Sequence, residues 1–392
     1  MDRSSSRAIR LFYAVAFFES LYFYAPVASL YRMEYGVTIF QITLIESVFF
    51  ITALLLEMPW GLVTARVGYK NTLLAAGALN FLAAVLFWQA DGFAMFLAQR
   101  CVLAAAISGF SGCDIAYLSR LAAPGVQHRV LGRYNAMSFI ALTTIGASFP
   151  LSRLLGYRGL AFLTMFCVGV GFILRLWLPK VEPEPQDMLP FRQQLRALWQ
   201  VLGYNKLFVL FVVCGAAFCE IENTFTVFFA SPAYQAAGIA QSWYGILNLS
   251  LNLAGVAGGL LSAKLAGWGN GWAIVLCWLL AVVSAAMLCL NQSALALIIF
   301  LPLLRLAAQG YLPCEQLLKT QRTGSAGRAV TLSAYNMAAS VVGISLGPLI
   351  GAGTIVALRY GFYTGIGLLL LAALIAAIAW RGMRKQKSLT PT

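Results

Sequence analysis

Eight charged side chains stand out within otherwise apolar stretches of this 392-residue sequence, away from the loops: Glu19, Glu46, Arg100, Asp114, Glu220, Glu222, Arg305 and Glu315. Six are acids and two are bases. Burial among hydrocarbon disfavours the charged form of a carboxylic acid, so acids in such places can take up and release protons near neutral pH. With no base evident beside them, Glu19, Glu220 and Glu222 stand out as proton carriers. The chain offers little for bond-making chemistry. It has no Ser/His/Asp constellation, no metal-ligand spacing and no phosphate-cradling glycine loop. Its one histidine, His128, lies in a basic loop and reads as solvated. No catalytic residue, metal site or cofactor is expected, and the protein is not expected to be an enzyme.

Composition sets where these groups must sit. Hydrophobic residues make up 61% of the chain and charged residues 10%, with a mean hydropathy of +0.81. A soluble chain usually carries about 25% charged residues. Apolar runs long enough to cross a ~30 Å hydrocarbon core as helices read as 8–31, 37–64, 70–91, 94–120, 129–155, 159–179, 205–230, 240–265, 271–291, 293–319, 328–357 and 361–381. Each charge left facing lipid at mid-span costs roughly 2.5–3.5 kcal/mol. Eight of them would outweigh the ~5–15 kcal/mol stability of a typical fold. They must face one another or a wet cavity.

The net charge of +14 is not a nucleic-acid signal. With both termini inside, 20 of the 27 Lys and Arg residues fall in inner segments and only Arg32, Arg153, Arg158 and Arg359 in outer ones. Basic loops stay cytoplasmic, so the bias predicts an inner (plasma) membrane protein with both termini in the cytoplasm. The basic and then long apolar N-terminus reads as a retained first span. The eight cysteines all lie in apolar spans without CxxC pairing and read as small hydrophobes.

The chain is duplicated. Ala16-Phe17-Phe18-Glu19 recurs as Ala217-Phe218-Cys219-Glu220, Cys113-Asp114 as Cys314-Glu315, and Tyr134-Asn135 as Tyr335-Asn336, each at a shift of 201. Gly61–Val67 returns as Gly259–Leu265 at a shift of 198. The expected organisation is an N-terminal six-helix bundle over 1–180, a cytoplasmic linker with a short interfacial helix over 181–206, and a C-terminal six-helix bundle over 207–392. The predicted fold is therefore an all-α membrane protein, twelve transmembrane helices in two pseudo-symmetric bundles. Such a duplication suits a site at the interface of two bundles that rock about it.

Helical spacing predicts which side chains share faces. Arg100, Ala104, Ile107, Ser111 and Asp114 line one face of span four. Arg305, Gln309, Leu312 and Gln316 do so in span ten, with Glu315 beside them. Tyr244, Asn248 and Asn252 stripe span eight, Glu19 lies above Tyr22, Phe23 and Pro26 in span one, and Glu222 shares a face with Phe218 and Thr226 in span seven. Asp114 and Arg100 are candidates for a static pair. Asp114 and Glu315 lie near cytoplasmic ends, where gating or capping competes with ligand binding. Glu46 is placed to reach the outer interface.

The segment Gly61-Leu62-Val63-Thr64-Ala65-Arg66-Val67-Gly68-Tyr69-Lys70, preceded by Glu57-Met58-Pro59, resembles the signature loop of the major facilitator superfamily. Gly61, Arg66, Gly68 and Lys70 match that loop, with Ala65 where the family has an acid; Glu57 reads as part of its scaffold. Arg100 with Ala104 resembles the family's membrane-embedded arginine motif, which in proton-driven antiporters is associated with coupling. Ser111–Leu118 is similar to a segment of bacterial efflux and metabolite carriers. Gly146 and Pro150 are all that remains of the span-five antiporter motif, which Gly343, Gly347, Pro348 and Gly351 echo in span eleven. The resemblance supports membership of that family but not the antiporter assignment; alternating access is expected from the duplicated architecture, and a proton gradient as its energy source from the buried acids. The expected cargo is a small amphipathic organic compound, exported; import of a metabolite by symport or facilitation is the alternative, and a non-transporting membrane sensor is the reading from another class. Substrate and proton contacts are expected at Glu19, Tyr22, Arg100, Asp114, Glu220, Glu222, Asn248, Asn252, Arg305 and Glu315. Conformational control is expected at Glu57, Gly61, Arg66, Gly68 and Lys70. The expected partners are a small-molecule substrate and the lipid bilayer, with no nucleic acid, and the protein is expected to be monomeric.

Overall fold

The structure, a computed structural model, describes residues 3–111, 113–122, 126–148, 152–181, 206–265, 270–322 and 328–389. The linker predicted over 181–206, together with Gly112 and Pro150, lies outside the described residues apart from the ends of that linker; the His128 side chain lies outside them too.

The described residues form fourteen α-helices: α1 (Arg3–Glu19), α2 (Ala28–Glu34), α3 (Ile39–Gln89), α4 (Phe93–Phe110), α5 (Cys113–Leu121), α6 (Gln127–Ser148), α7 (Ser152–Leu176), α8 (Lys206–Asn223), α9 (Ala230–Ala236), α10 (Tyr244–Leu265), α11 (Asn270–Leu290), α12 (Ala294–Arg322), α13 (Arg328–Gly353) and α14 (Leu358–Leu389). Among those residues nine stretches are long and apolar enough to cross a membrane. Residues 3–34, 127–148 and 328–353 supply the other three members of the twelve-helix set. Helix α3 carries two of these stretches, Ile39–Glu57 and Pro59–Gln89, in one run that kinks at Gly68, whose φ of 81° favours glycine. The same device recurs at Gly156 in α7, φ 62°. The segment from Gly61 to Val67, expected as a loop, is therefore helical, and the kink is confined to one residue.

Without water in hydrocarbon, hydroxyl groups must find partners inside the chain. Thr52, Thr64 and Thr164 donate to carbonyls one turn back, on Val48, Trp60 and Leu160, at 2.7, 2.8 and 3.0 Å.

The chain separates into two compact units. One comprises Met1–Thr38, Val48–Asp187 and Ala240–Leu249; the other comprises Ile39–Ser47, Met188–Ile239 and Ser250–Thr392. The core of the first includes a cluster of Ile9, Phe12, Tyr69, Leu73, Tyr117 and Leu118. In the second, Phe211, Phe218, Trp278 and Tyr311 pack ring to ring, with the Phe218 and Trp278 centroids 4.9 Å apart. A Cβ on Gly258 of α10 would collide with the Leu306 carbonyl oxygen of α12, so glycine sets how closely those helices approach.

Candidate functional site

In the first unit the sequence-predicted acids meet a base that the spacing did not single out. Helix α1 stops at Glu19, and the chain turns through Ser20–Tyr24 into a short 3-10 segment, Ala25–Val27. From the last turn of α7, Arg175 donates through Nε to Glu19 Oε1 at 2.7 Å and through Nη2 to Oε2 at 2.6 Å. Arg175 Nη1 lies 3.7 Å from Asp114 Oδ1, and Tyr134 donates to Asp114 Oδ2 at 3.0 Å. The guanidinium also sits 4.4 Å from the Phe110 ring centroid. Two glycines make room for it: a Cβ on Gly171 would lie 2.6 Å from Glu19 Cγ, and one on Gly77 would lie 3.0 Å from Arg175 Cδ. Arg175 is 2% exposed and Glu19 8%. A planar fork matched to a carboxylate is what lets a charge persist at such depth.

Two expectations change here. Glu19 does have a neighbouring base, so it is half of an ion pair and no longer a free carboxylate. Asp114 pairs with Arg175 in place of Arg100, whose guanidinium lies 4.6 Å from the Phe49 ring centroid. The reason is helical phase. Span four breaks at Ser111, where φ −53° and ψ 117° leave the helical region, and Asp114 belongs to the first turn of the separate helix α5. The single face drawn from Arg100 to Asp114 does not survive that break. Tyr22 turns to Asn80, donating to its Oδ1 at 3.0 Å.

The second unit has the sister arrangement with different partners. Helix α8 passes into a π-helical stretch, Thr224–Phe229, before α9 resumes; π-bulges of this kind often mark functional positions. There Thr226 donates to Glu222 Oε1 at 2.7 Å, and Arg305 Nη1 reaches both Glu222 oxygens at 3.0 and 3.2 Å. Glu222, expected to lack a nearby base, therefore has one; the interval of 83 residues hid it. Glu315 lies 3.4 Å from Lys319 one turn along α12.

Glu220 differs from all of these. It is 8% exposed, makes no hydrogen bond or ion pair among the described residues, and has Glu46 and Glu222 as its charged neighbours. Its Oε1 would be 3.6 Å from a Cβ on Gly347, with Thr43 O and Ser47 Oγ within 3.9 Å of the same point. Glu46, expected to reach the outer interface, is instead 7% exposed. Asn248 and Asn252 are half-buried on α10. Of the loop residues, Glu57 and Arg66 are exposed, Gly61, Gly68 and Lys70 half-buried.

Sequence reasoning passed over three basic residues. Arg175 is not among the eight charges singled out above, although it is a lone base in the apolar run Phe172–Leu178. Lys319, the last residue of the span read as 293–319, is 4% exposed. Arg32 was counted as an outer charge, yet it is 4% exposed, its guanidinium 5.6 and 5.9 Å from the Phe87 and Phe96 ring centroids. Its signal was the aromatic neighbourhood from Tyr22 to Tyr35.

A twelve-helix membrane fold, duplicated, with broken first helices in both repeats and charges held in its interior, defines a polytopic membrane carrier. Residues 11–338 match the Major Facilitator Superfamily profile, and the chain belongs to that family. Its fold is shared with solved transporters. A bacterial homologue of the human lysosomal transporter Spinster superposes with a TM-score of 0.73 at 16% identity, covering 98% of each chain. The nucleoside transporter NupG gives 0.77 at 13% identity, covering 96% of this chain and 99% of NupG. The human organic anion transporter MFSD10 gives 0.62 at 14%, covering 96% and 100%.

Proposed function

We propose that the protein is a proton-coupled secondary transporter that exports a small amphipathic organic compound across the inner membrane by alternating access. The observation that carries the proton coupling is Glu220, a buried carboxyl without a basic partner among the described residues, beside Glu46 and Glu222. A carboxylic acid that exchanges between water and an apolar setting can bind a proton on one side and release it on the other. Glu19 and Glu222, each held by an arginine, hold their charges for structure or substrate orientation. Organic cargo fits the solutes named for two of the structurally similar proteins, a nucleoside and an organic anion. The outward direction rests on the similarity of Ser111–Leu118 to bacterial efflux and metabolite carriers. Both termini are assigned to the cytoplasm by the distribution of Lys and Arg.

Reconstitution into proteoliposomes tests the coupling. An imposed pH gradient is expected to drive accumulation of a fluorescent lipophilic substrate, found by growth-inhibition screening, and Glu220→Gln is expected to abolish gradient-driven accumulation. Identical flux with and without the gradient would reject proton coupling. Flux running with the proton, in place of against it, would reassign the protein to symport.

A further inference from the structure

On the first unit, α1, the end of α5 and the end of α7 enclose an open pocket of about 980 Å³, lined by Ser5, Arg7, Ala8, Arg10, Leu11, Leu121, Trp177 and Pro179. Its two arginines are exposed and lie three residues apart, so they share a face of α1. Arg7 has no partner among the described residues, and Arg10 makes only a long 3.4 Å hydrogen bond from Nε to the Ser6 carbonyl. Among the described residues no carboxylate lines the pocket. Lys180, next to Pro179, is exposed as well. Trp177 is 67% exposed, a large indole at the end of a membrane-crossing helix. Tryptophan concentrates at that depth, where its apolar body meets acyl chains and its N–H meets head groups.

A groove in the second unit is built otherwise. Between α8, α11 and α14 lies a groove of about 480 Å³ lined by Phe211, Ile274, Trp278, Leu370, Ala376 and Trp380 among others, with Arg381 as its one charged residue. At the repeat shift of 201, Arg10 corresponds to Phe211 and Pro179 to Trp380. At those two positions the second repeat carries aromatic rings, and the cation of Arg10 has no counterpart there.

We infer that the pocket of the first unit binds the head group of an anionic membrane phospholipid. Arg7 and Arg10 hold the phosphate, and the acyl chains run past Leu11, Leu121 and Trp177. Basic pockets between transmembrane helices on the cytoplasmic side suit such head groups. The charge distribution places this end of the protein on that side. The apolar surface of Leu11 and Trp177 beside two cations that no described carboxylate pairs fits a lipid better than a soluble phosphate, which would leave that surface uncovered.

The test uses the full chain, purified and reconstituted in nanodiscs of phosphatidylcholine with a graded fraction of phosphatidylglycerol, with retained lipid counted by native mass spectrometry. Phosphatidylglycerol is expected to be retained over phosphatidylcholine. In the Arg7→Gln/Arg10→Gln variant its affinity is expected to fall about 30-fold, the equivalent of about 2 kcal/mol at roughly 1 kcal/mol per basic residue. Arg7→Lys/Arg10→Lys, which keeps the charge and the topology signal, is expected to retain most of the binding. Equal retention of the two lipids, or undiminished phosphatidylglycerol in the glutamine variant, would overturn the proposal. So would displacement of the lipid by millimolar glycerol phosphate, which would show a site for soluble phosphate.

Discussion

The two repeats place related residues at matched positions and then treat their charges in opposite ways. Glu19 and Glu220, Asp114 and Glu315, and Tyr134 and Tyr335 correspond at a shift of 201. In the first unit one guanidinium, Arg175, joins both acids, and Tyr134 closes the set. In the second unit the residue corresponding to Arg175 is Ala376. Glu315 turns to its helix neighbour Lys319, and Glu220 is left among acids. One substitution in one copy thus separates a closed charge network from an open carboxyl. On the coupling proposed above, one proton-responsive acid serves both bundles, and the acid of the other repeat is held in an ion pair.

The largest expected effect comes from opening the closed network. Arg175→Ala leaves Glu19 and Asp114 buried together without a counter-charge, and removing one partner of a buried pair typically costs about 3–5 kcal/mol. The variant is expected to unfold well below the wild type in a detergent thermal-stability assay. A melting temperature within a degree or so of the wild type would mean that water already reaches the network.

A smaller step removes one hydrogen bond from the same set. Tyr134→Phe deletes the 3.0 Å bond to Asp114 while keeping the ring, whose centroid lies 5.7 Å from that of Phe12. A hydrogen bond to a charged acceptor contributes about 1.5–3 kcal/mol. Combining the substitution with Arg175→Ala in a double-mutant cycle is expected to give a non-additive result, since both side chains act on Asp114. Strict additivity would show that Asp114 is not the shared partner.

How much of this was legible beforehand follows from the physics that fixes each feature. Span length and the duplication could be read because hydrocarbon imposes a minimum apolar length and because the repeat shift stays constant. The buried acids could be listed because each is conspicuous among apolar residues. Their partners could not. Arg175 reaches Glu19 across 156 residues, and only because Gly171 and Gly77 let the side chains pass. The phase of Asp114 depends on a backbone break at Ser111 that no periodicity announces. Glu46 comes to Glu220 through the short segment Ile39–Ser47, which clusters with the second unit although its sequence position belongs to the first.

The smallest expected change is the most discriminating, because it asks the sister carboxyls the same question. Glu19→Gln removes the acceptor charge from a bidentate pair and leaves Arg175 with only Asp114 as counter-charge, so it belongs with the costly substitutions. Glu220→Gln removes a carboxyl that has no cation to lose. An unpaired buried charge is itself unfavourable, so neutralising it is expected to leave the melting temperature unchanged or slightly raised, a shift of less than about 0.5 kcal/mol, the usual range for substitutions that break no buried interaction. If Glu220→Gln destabilised the protein as much as Glu19→Gln, Glu220 would have to be held by a cation, and the division between a locked and an open repeat would fail. If it leaves stability intact while abolishing gradient-driven flux, that division and the role of Glu220 stand together.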